Sequence, residues 1–523
     1  ALRLFSVAHN PSLVPDSDVK GQWNACSPQT IGNFSAVAYF FGRELHRELE
    51  VPIGLLHSSV GGTPAEAWTR LEALKTRPAL AERAEQEIAQ FQSQDDDNRK
   101  FVGERAAWEE KYGVQPPPIS DAARGWAEPG LDTSDWKPVT LPAPWRSLGA
   151  NSGGVFWLRK EFSLPEALAG KPLWLSLDWV SEQYDTVFFN GVEIGRANDK
   201  PPGFYMVQRG YPVPAKLVQA GRAIVAVRVV SATQNAGVSQ RGRNVFPFAN
   251  LANVDDNWLL KTEATFAPLP ADALAARPKP NNIVFRTVSA ALYNGMIAPL
   301  CPFAIKGAIW YQGESNTTRS GEYGDLLSLM IRDWREQWNA GDFPFYIVQL
   351  ANYYGVPKEP GKRSGVAEVR EQQLKVSQRV PNCGLAVAID IGEEGIHPRN
   401  KQDVGKRLAL QALAHTYGRS MPCSGPIYRT MNVDRQTVRV IFDHAEGGLV
   451  AKGGALNWFA IAGADKKFVW ADAKIDGDTV VVSSPQVPQP VAVRYAWADN
   501  PAGCNLYNQA GLPATPFRTD DWQ

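Results

Sequence analysis

Residues 304–316 read AIKGAIWYQGESN, and this stretch decides the fold class. Its first half is an apolar run typical of a buried strand, and the chain becomes polar directly after it. In an α/β sheet, ligands bind at the carboxyl ends of the strands. The segment Gln312–Asn316 places amides, a carboxylate and a glycine in one loop. We therefore interpret it as part of a site rather than as a simple turn.

Strands and helices alternate on both sides of this stretch. Predicted strands are Leu2–Ala8, Pro52–Leu56, Phe343–Leu350 and Gly384–Asp390, and predicted helices are Ser35–Glu50, Glu322–Trp338, Val366–Val380 and Lys401–Gly418. Such alternation implies a parallel sheet with helices on both faces. Residues 71–112 are predicted to be charged helices with a break near Asp95–Asp97.

Between these α/β segments the pattern changes. From about Gly125 to Phe266 the chain has short alternating strands and the turn signal Asn190-Gly191, which predict an antiparallel β-sandwich. Proline-rich linkers flank it, so we expect the sandwich to be inserted into the α/β domain. The predicted segments are 1–115 for the first α/β part with a helical arm, 121–268 for the sandwich, 280–423 for the second α/β part and 424–523 for a carboxyl-terminal β-rich region.

The bulk composition argues against several classes of protein. The chain has 523 residues, more than one hydrophobic core normally serves, so more than one domain is expected. Lys and Arg total 54, as do Asp and Glu, and this balance argues against a nucleic-acid or polybasic membrane role. No apolar run is long enough to predict a membrane span, and the five cysteines lack the spacing of a zinc site. The amino terminus has no signal-peptide pattern and looks like a strand entered midway.

Two loops after predicted strands carry groups that could stabilise an oxyanion. Residues 58–63 contain Gly61-Gly62, and paired glycines allow a backbone N–H to point into a cleft. The alternative for the glycines is a tight turn that needs positive φ. The side-chain amide of Gln312 could donate a second hydrogen bond to the same oxygen.

A third loop, residues 390–401, carries the candidate general base. The chain has six histidines, and we favour His397 because it lies in a loop between a predicted strand and a capped helix. Imidazole is the usual general base near neutral pH. Glu394 lies three residues before His397, a spacing at which a carboxylate can orient the ring.

Together these loops resemble the sialate O-acetylesterase branch of the SGNH (GDSL-like) hydrolases. The matching stretches are residues 52–56, 58–68, 292–300, 306–316, 396–401 and 511–518. The resemblance covers most of residues 1–70 and 285–523. It implies an α/β fold with a flavodoxin-like parallel sheet and no metal or organic cofactor.

The resemblance also implies roles for individual residues. His397 would be the catalytic base, with Gly61 and Gln312 in the oxyanion hole. The acid would be Glu394, although the family usually has Asp at that place, or alternatively Asp390. The residues assigned to substrate binding are Glu66, Trp68, Glu314 and Asn316.

The nucleophile is the main departure from the family pattern. In the family it is a serine in a Gly-Gln-Ser-Asn motif, upstream of the part that matches residue 1. The 523 residues contain no such motif. We therefore expect the nucleophilic serine upstream, in an amino-terminal segment with which this chain would pair. Ser58 and Ser59 are the alternatives, although the resemblance places both in the oxyanion loop.

The inserted region resembles the galactose-binding-type jelly roll at the start of family-two glycoside hydrolases. The matching stretches are residues 156–162, 187–195 and 224–229. The chain has 17 Trp residues, which suit sugar stacking and equally suit a β-rich core. Trp179, Tyr184, Phe204 and Tyr205 are therefore open to both interpretations.

These observations predict a serine-type carbohydrate O-acetylesterase, a carboxylic ester hydrolase of the periplasm or the extracellular space. Its partner would be an acetylated polysaccharide or oligosaccharide, such as xyloglucan, xylan or a sialate. One alternative is a glycan-binding protein without turnover on an esterase scaffold. Another is a glycosidase that uses paired carboxylates such as Glu314 and Glu394.

Overall fold

The computed structural model describes residues 1–141, 143–177, 184–197, 209–238, 257–393 and 395–522. The chain forms two compact units, one made of residues 1–91 with 284–523 and the other of residues 92–283. In the first unit helices alternate with parallel strands, and the second is rich in antiparallel strands. This confirms the predicted α/β class with an added β region. The division into four segments stays a prediction from the sequence.

The first unit opens with a strand–helix–strand arrangement. Its elements are β1 (Leu2–Ser6), β2 (Trp23–Ala25), α1 (Ala36–Leu49), β3 (Ile53–His57), α2 (Leu71–Leu74) and α3 (Pro78–Tyr112), of which α3 continues into the residues of the second unit. The Ser35 side chain accepts a hydrogen bond from the Ala38 N–H and so caps α1. β1 and β3 are parallel, with Leu2 opposite Ile53. Both strands therefore end at the same edge of their sheet.

The predicted break near Asp95–Asp97 is wrong, because α3 is continuous through these residues. Tertiary hydrogen bonds hold the acidic run inside the helix. The Asn281 side chain donates to the Asp97 carboxylate over 2.9 Å, and the Asn98 side chain accepts from the Asn281 N–H over 3.0 Å. Contacts of this kind override the weak helix propensity of consecutive aspartates.

The second unit is built around an antiparallel sheet. Its elements are α4 (Asp121–Arg124), β4 (Lys137–Thr140), β5 (Ala143–Pro144), β6 (Gly154–Leu164), β7 (Leu173–Leu177), β8 (Tyr184–Phe189), β9 (Val192–Ala197), β10 (Arg209–Val213), β11 (Gly221–Ser231), β12 (Gly237–Val238), β13 (Asn257–Thr265) and α5 (Ala271–Ala275). The main sheet has the order β4-β13-β6-β11-β8-β9, with the shorter pairs β10-β7 and β12-β5. Asn190 and Gly191 join β8 to β9 with positive φ at both positions, as a tight hairpin turn requires.

The aromatic residues considered for glycan stacking are only partly described. Tyr184 donates its hydroxyl to the Glu109 carboxylate over 2.9 Å within the second unit. Trp179, Phe204 and Tyr205 lie outside the described residues. The stacking interpretation therefore stays a prediction for this unit.

The first unit resumes with the strands that carry the opening motif. These elements are β14 (Ala308–Trp310), α6 (Ser320–Trp338), β15 (Phe345–Val348), α7 (Gly365–Arg379), β16 (Cys383–Ala386) and α8 (Lys401–Gln411). The parallel sheet β14-β15-β16 is hydrogen-bonded separately from the sheet β2-β1-β3. Ile309 of β14 nevertheless packs against the apolar cluster that contains Leu4 and Leu55. The candidate loops thus follow the carboxyl ends of β3, β14 and β16.

The carboxyl-terminal region adds further strands to the same unit. They are β17 (Ile427–Asp434), β18 (Thr437–Asp443), β19 (Leu449–Ala451), β20 (Phe459–Ala462), β21 (Phe468–Trp470), β22 (Asp472–Asp476), β23 (Thr479–Ser483), β24 (Ala492–Tyr495), β25 (Leu506–Asn508) and β26 (Phe517–Arg518). The sheets have the orders β17-β18-β23-β22, β21-β20-β24-β26 and β19-β25. Phe459 of β20 and Phe345 of β15 belong to one core cluster, so these strands share the core of the α/β part.

Three further properties concern membranes, metals and disulfides. Within the described ranges, no helix is both long and apolar enough to cross a membrane. The same residues contain no group of three or more His, Cys, Asp or Glu side chains that could hold a metal ion. All five cysteines are described, and all are free thiols.

Candidate active site

The loop after β3 is closed by Thr63 and leaves one backbone N–H open. The Thr63 hydroxyl donates to the Val60 carbonyl over 2.7 Å and accepts from the Trp68 indole over 2.9 Å. Gly62 has φ of 71°, the left-handed conformation that the paired glycines suggested. Gly61 is exposed, and in the described part of the chain its N–H makes no hydrogen bond. This N–H is therefore available to a ligand oxygen.

Gln312 lies beside this loop, and its side-chain amide already makes hydrogen bonds within the protein. Its Nε2 donates to the Thr63 carbonyl over 3.1 Å and to the Asn316 side-chain oxygen over 2.7 Å. The buried Tyr323 hydroxyl donates to the Gln312 Oε1 over 3.0 Å. Both amide hydrogens are thus used within the protein. For Gln312 to serve an oxyanion, one of these two bonds must be exchanged for the substrate oxygen.

Glu66 and Asn316 join the two loops underneath. The Asn316 Oδ1 accepts from the Ala65 N–H over 3.0 Å, and its Nδ2 donates to Glu66 over 2.8 Å. Arg319 and Arg83 also donate to Glu66, over 2.8 and 3.0 Å. Burial raises the pKa of Glu66, but the charge and hydrogen bonds of Arg319 and Asn316 outweigh it and hold the pKa below its ordinary value. Glu66 is therefore a buried carboxylate that fixes the loops.

The residues assigned to substrate binding divide into two groups. Glu66, Trp68 and Asn316 are buried, with exposed fractions of 2, 3 and 1%, and their polar atoms bind protein groups. Glu314, in contrast, is reached by solvent at the start of the 3₁₀ helix Glu314–Arg319. A direct substrate contact stays a prediction for all four, and only Glu314 has an open face for it.

Glu314 also links the second loop to the histidine loop. Its surroundings are mostly protein, as on the floor of a cleft, and this burial raises the pKa of the carboxyl. A backbone hydrogen bond and the charges of His397, Lys401 and Arg370 act in the opposite direction. The His397 imidazole, which is exposed, thus lies within electrostatic range of the Glu314 carboxylate. The structure brings these two residues together across 83 positions of sequence.

The structure describes only one of the two carboxylates that were predicted to orient His397. Glu394 lies outside the described residues. Asp390 accepts hydrogen bonds from Arg407 over 2.6 and 2.8 Å and from the Tyr507 hydroxyl over 3.0 Å. Both carboxylate oxygens of Asp390 are therefore bound to groups other than His397. This pattern gives Asp390 a role in holding α8 and β25 to the end of β16.

The two serines of the first loop also have distinct partners. Ser58 donates its hydroxyl to the Met296 carbonyl over 3.0 Å. The Ser59 hydroxyl lies 2.6 Å from His57 Nε2. Burial and the neighbouring His9 lower the pKa of His57, which favours the neutral imidazole that can accept a proton. Ser59 is thus the loop serine with a basic partner, a pairing that its sequence context does not indicate.

A small cavity lies beside Glu314 and the residue before His397. Its volume is about 20 Å³, and its walls include Glu314, Leu350, Val366 and Ile396. A cavity of roughly this size holds about one water-sized group. We refer to it as the Glu314 cavity. Its walls are apolar except for the carboxylate and the neighbouring Thr317 and tyrosine hydroxyls.

Loops at the carboxyl ends of parallel strands thus carry a backbone N–H without a partner among the described residues, a side-chain amide and an imidazole, which are groups that ester hydrolysis can use. A family model described as "Carbohydrate esterase, sialic acid-specific acetylesterase" matches residues 281–414. The human sialate O-acetylesterase is 30% identical over 274 residues, which are 46% of this chain and 51% of that protein. The chain spans about half the length of the curated relatives it matches.

A solved structure extends the similarity to the whole chain. The crystal structure of a carbohydrate acetylesterase from Xanthomonas citri has a TM-score of 0.57 and 27% identity, covering all of this chain and 73% of that one. These similarities support the resemblance to the sialate O-acetylesterase-like branch of the SGNH hydrolases that the motifs predicted. A beta-galactosidase from Bacteroides ovatus, BoGH2A, is 33% identical over 121 residues, 21% of this chain and 14% of that protein. This match fits an added domain of the family-two type.

Proposed function

We propose that this protein is a carbohydrate O-acetylesterase that removes acetyl groups from an acetylated glycan. The similarity to carbohydrate esterases and the three loops support ester hydrolysis. The observation that carries the proposal is the hydrogen bond from Gln312 Nε2 to the Thr63 carbonyl over 3.1 Å, because it joins the glycine loop and the amide loop that would serve one oxyanion. The glycan would be a hemicellulose such as xyloglucan or xylan, or a sialate, encountered in the periplasm or outside the cell.

The reaction would follow the serine-hydrolase scheme. A nucleophilic serine attacks the acetyl carbonyl carbon while His397 accepts its proton. The oxyanion accepts hydrogen bonds from the Gly61 N–H and from Gln312, once Gln312 has exchanged a bond. His397 then donates the proton to the departing sugar oxygen. Water, deprotonated by His397, hydrolyses the acyl-enzyme and releases acetate.

The acid that orients His397 is proposed to be Glu394. Its spacing from His397 supports this assignment, and the engagement of Asp390 by Arg407 and Tyr507 makes the alternative less suited. Glu314 would lie near the imidazole during the reaction, because the charge of His397 acts on the pKa of the Glu314 carboxyl. No step of this scheme requires a metal ion or an organic cofactor.

The test is acetate release from acetylated xylan, acetylated xyloglucan and an O-acetylated sialic acid. His397→Ala should lower kcat by roughly 10²–10⁴-fold. His415→Ala, an exposed histidine in the π-helical turn Ala412–Thr416 after α8, is the matched control and should leave kcat unchanged. Ser59→Ala should also retain activity. A loss of kcat as large as that of His397→Ala would identify Ser59 as the nucleophile.

Other outcomes would favour the alternative functions. Glycan binding that survives His397→Ala, without acetate release by the wild-type protein, would identify a binding protein. Release of reducing sugar in place of acetate would identify a glycosidase.

A further inference from the structure

A second cavity in the first unit is lined by three tryptophans. Its volume is about 140 Å³, and Trp458, Trp470 and Trp497 line it together with the segment 355–364. We refer to it as the tryptophan cavity. Drug-sized ligands occupy roughly 300–1,000 Å³, so this cavity suits one unit of a longer ligand rather than a whole small molecule.

The tryptophan rings are held in place by hydrogen bonds from their indoles. Trp458 donates to the Ala502 carbonyl over 2.8 Å, and Trp470 donates to the Lys358 carbonyl over 3.2 Å. The two rings meet edge to face, with centroids 5.2 Å apart. Trp470 nevertheless keeps 40% of its surface exposed. A large, rigid aromatic surface is thus both fixed and accessible.

Backbone conformation adds a second sign of a built site. Trp458 has φ of 62° and Ala496 has φ of 49°, and the Ala496 N–H donates to the Trp458 carbonyl over 3.0 Å. A bulky residue in the left-handed region is an outlier. Such strain persists only where the surroundings determine it, and it is concentrated at ligand-binding positions.

One arginine joins the tryptophan cavity to the Glu314 cavity. Arg370 is fully buried and donates to the carbonyls of Leu350 and Ala351, each over 2.8 Å. It also donates to the carbonyls of Ala498 and Asp499, over 2.6 and 2.9 Å. The first two residues line the Glu314 cavity and the other two line the tryptophan cavity. The walls of the two cavities are therefore fixed to each other.

The charges around the tryptophan cavity favour a neutral ligand. Arg494 is paired with Asp520 over 2.7 Å, and Arg363 with Glu368 over 3.1 Å. The exposed Glu359 and Lys362 make no ion pair or hydrogen bond among the described residues, and they carry opposite charges. These two side chains can bind hydroxyl groups, whereas no excess of positive charge is present to bind a carboxylate.

We propose that the tryptophan cavity is a sugar-binding subsite that holds one unit of a neutral glycan chain while an acetylated unit of the same chain occupies the candidate active site. This inference rests on the proposed function for its reaction, and it deepens it by naming a neutral polymer, not a sialate, as the substrate class. The apolar face of a pyranose ring would pack on the Trp470 ring, with its hydroxyls at Glu359 and Lys362.

The first experiment measures binding without catalysis. Titration calorimetry of the protein with unacetylated xylohexaose or a xyloglucan oligosaccharide should give a dissociation constant that Trp470→Ala weakens by about tenfold or more. Trp23→Ala is the matched control, because Trp23 is also 40% exposed and lies outside the cavity. Trp470→Phe keeps an aromatic ring and should retain most of the affinity. Equal affinity of wild type and Trp470→Ala for both oligosaccharides would overturn the proposal.

The second experiment separates the subsite from the reaction. Trp470→Ala should lower kcat/KM on acetylated polymer by about tenfold and leave 4-nitrophenyl acetate hydrolysis unchanged. A wild-type protein that binds oligosaccharide but releases no acetate would refute the esterase and keep the subsite. Tighter binding of sialyllactose than of the neutral oligosaccharides would overturn the neutral class. If Trp470→Ala fails to fold, Lys362→Ala with Glu359→Gln takes its place, with the same outcomes required.

Discussion

The glycine–amide side of the candidate site, residues 58–68 and 311–319, is built differently from its histidine side, residues 390–401. On the first side Glu66 and Asn316 are buried and tie the two loops together. On the second side His397 is exposed, and the Arg399 side chain is 90% exposed in an ion pair with Glu393. Donors for an oxyanion need preorganisation, because their catalytic effect depends on not having to reorganise. The general base, in contrast, can reach its final geometry as the substrate binds.

The largest expected effect is a loss of stability when the buried carboxylate of the glycine–amide side is removed. Glu66→Ala should lower the free energy of unfolding by about 3–5 kcal/mol, because it leaves Arg319, Arg83 and Asn316 without their shared partner. Denaturant unfolding followed by tryptophan fluorescence measures it. Glu72→Ala, whose side chain is 68% exposed, is the control and should change stability by no more than about 0.5 kcal/mol. Equal stability of the two variants would show that the loops are held by other contacts.

A second variant tests whether Gln312 stabilises the oxyanion in addition to holding the two loops together. Gln312→Ala should lower kcat by about 10²-fold, because removal of one oxyanion donor costs roughly 10²–10³-fold. The measurement is steady-state acetate release, with Thr318→Ala, at an exposed position of the 3₁₀ helix that follows Gln312, as the control. A rise in KM at constant kcat would instead mean that Gln312 binds ground state and transition state equally.

The smallest expected effect concerns the carboxyl group of Glu314, which links the glycine–amide side to the histidine side. Burial raises the folded-state pKa of Glu314 above its unfolded value, which is near 4.3. The carboxyl therefore contributes stability that is fully present below that pH and is lost as pH rises through the folded pKa. Glu314→Gln does not titrate, so its stability relative to the wild type should increase as pH rises from about 4 towards neutrality.

Thermal unfolding of both proteins across this pH range tests the expectation. Glu446→Gln, at an exposed position of the same unit, should follow the wild-type curve. Parallel pH dependence of the wild type and Glu314→Gln would place the carboxyl in a more aqueous setting than the structure indicates.

The features that could be predicted from the sequence are local ones. The apolar run 304–309 correctly predicted a strand here, although the strand is Ala308–Trp310 and residues 304–307 precede it. The caps of α1 and α8 depend on neighbouring residues in the same way and were also predictable. The turn at Asn190-Gly191 is local in the same sense. The continuity of α3 was not, because Asn281 stabilises the aspartate run from more than 180 positions away.

The state of the site residues depended on distant partners as well. Gln312 is bound to Thr63, 249 positions away, and Glu66 to Arg319, 253 positions away. Asp390 is engaged by Tyr507 across 117 positions. Sequence motifs identify which side chains come to the site, but such pairings decide which of them keep a free donor or acceptor. The predicted role of Gln312 is therefore tested by its variant, and the partners of Asp390 argue against its role as the acid.

Arg370 fixes the distance between the tryptophan cavity and the Glu314 cavity as well as the walls of both. Its guanidinium binds four carbonyls from two segments, and burial lowers its pKa to about 10 while it remains charged near neutral pH. With one glycan unit in the tryptophan cavity and an acetylated unit of the same chain in the candidate active site, the distance between the bound ring and the ester under attack would be constant. Acetyl groups would then be removed at a constant number of sugar units from the one that is bound in the tryptophan cavity.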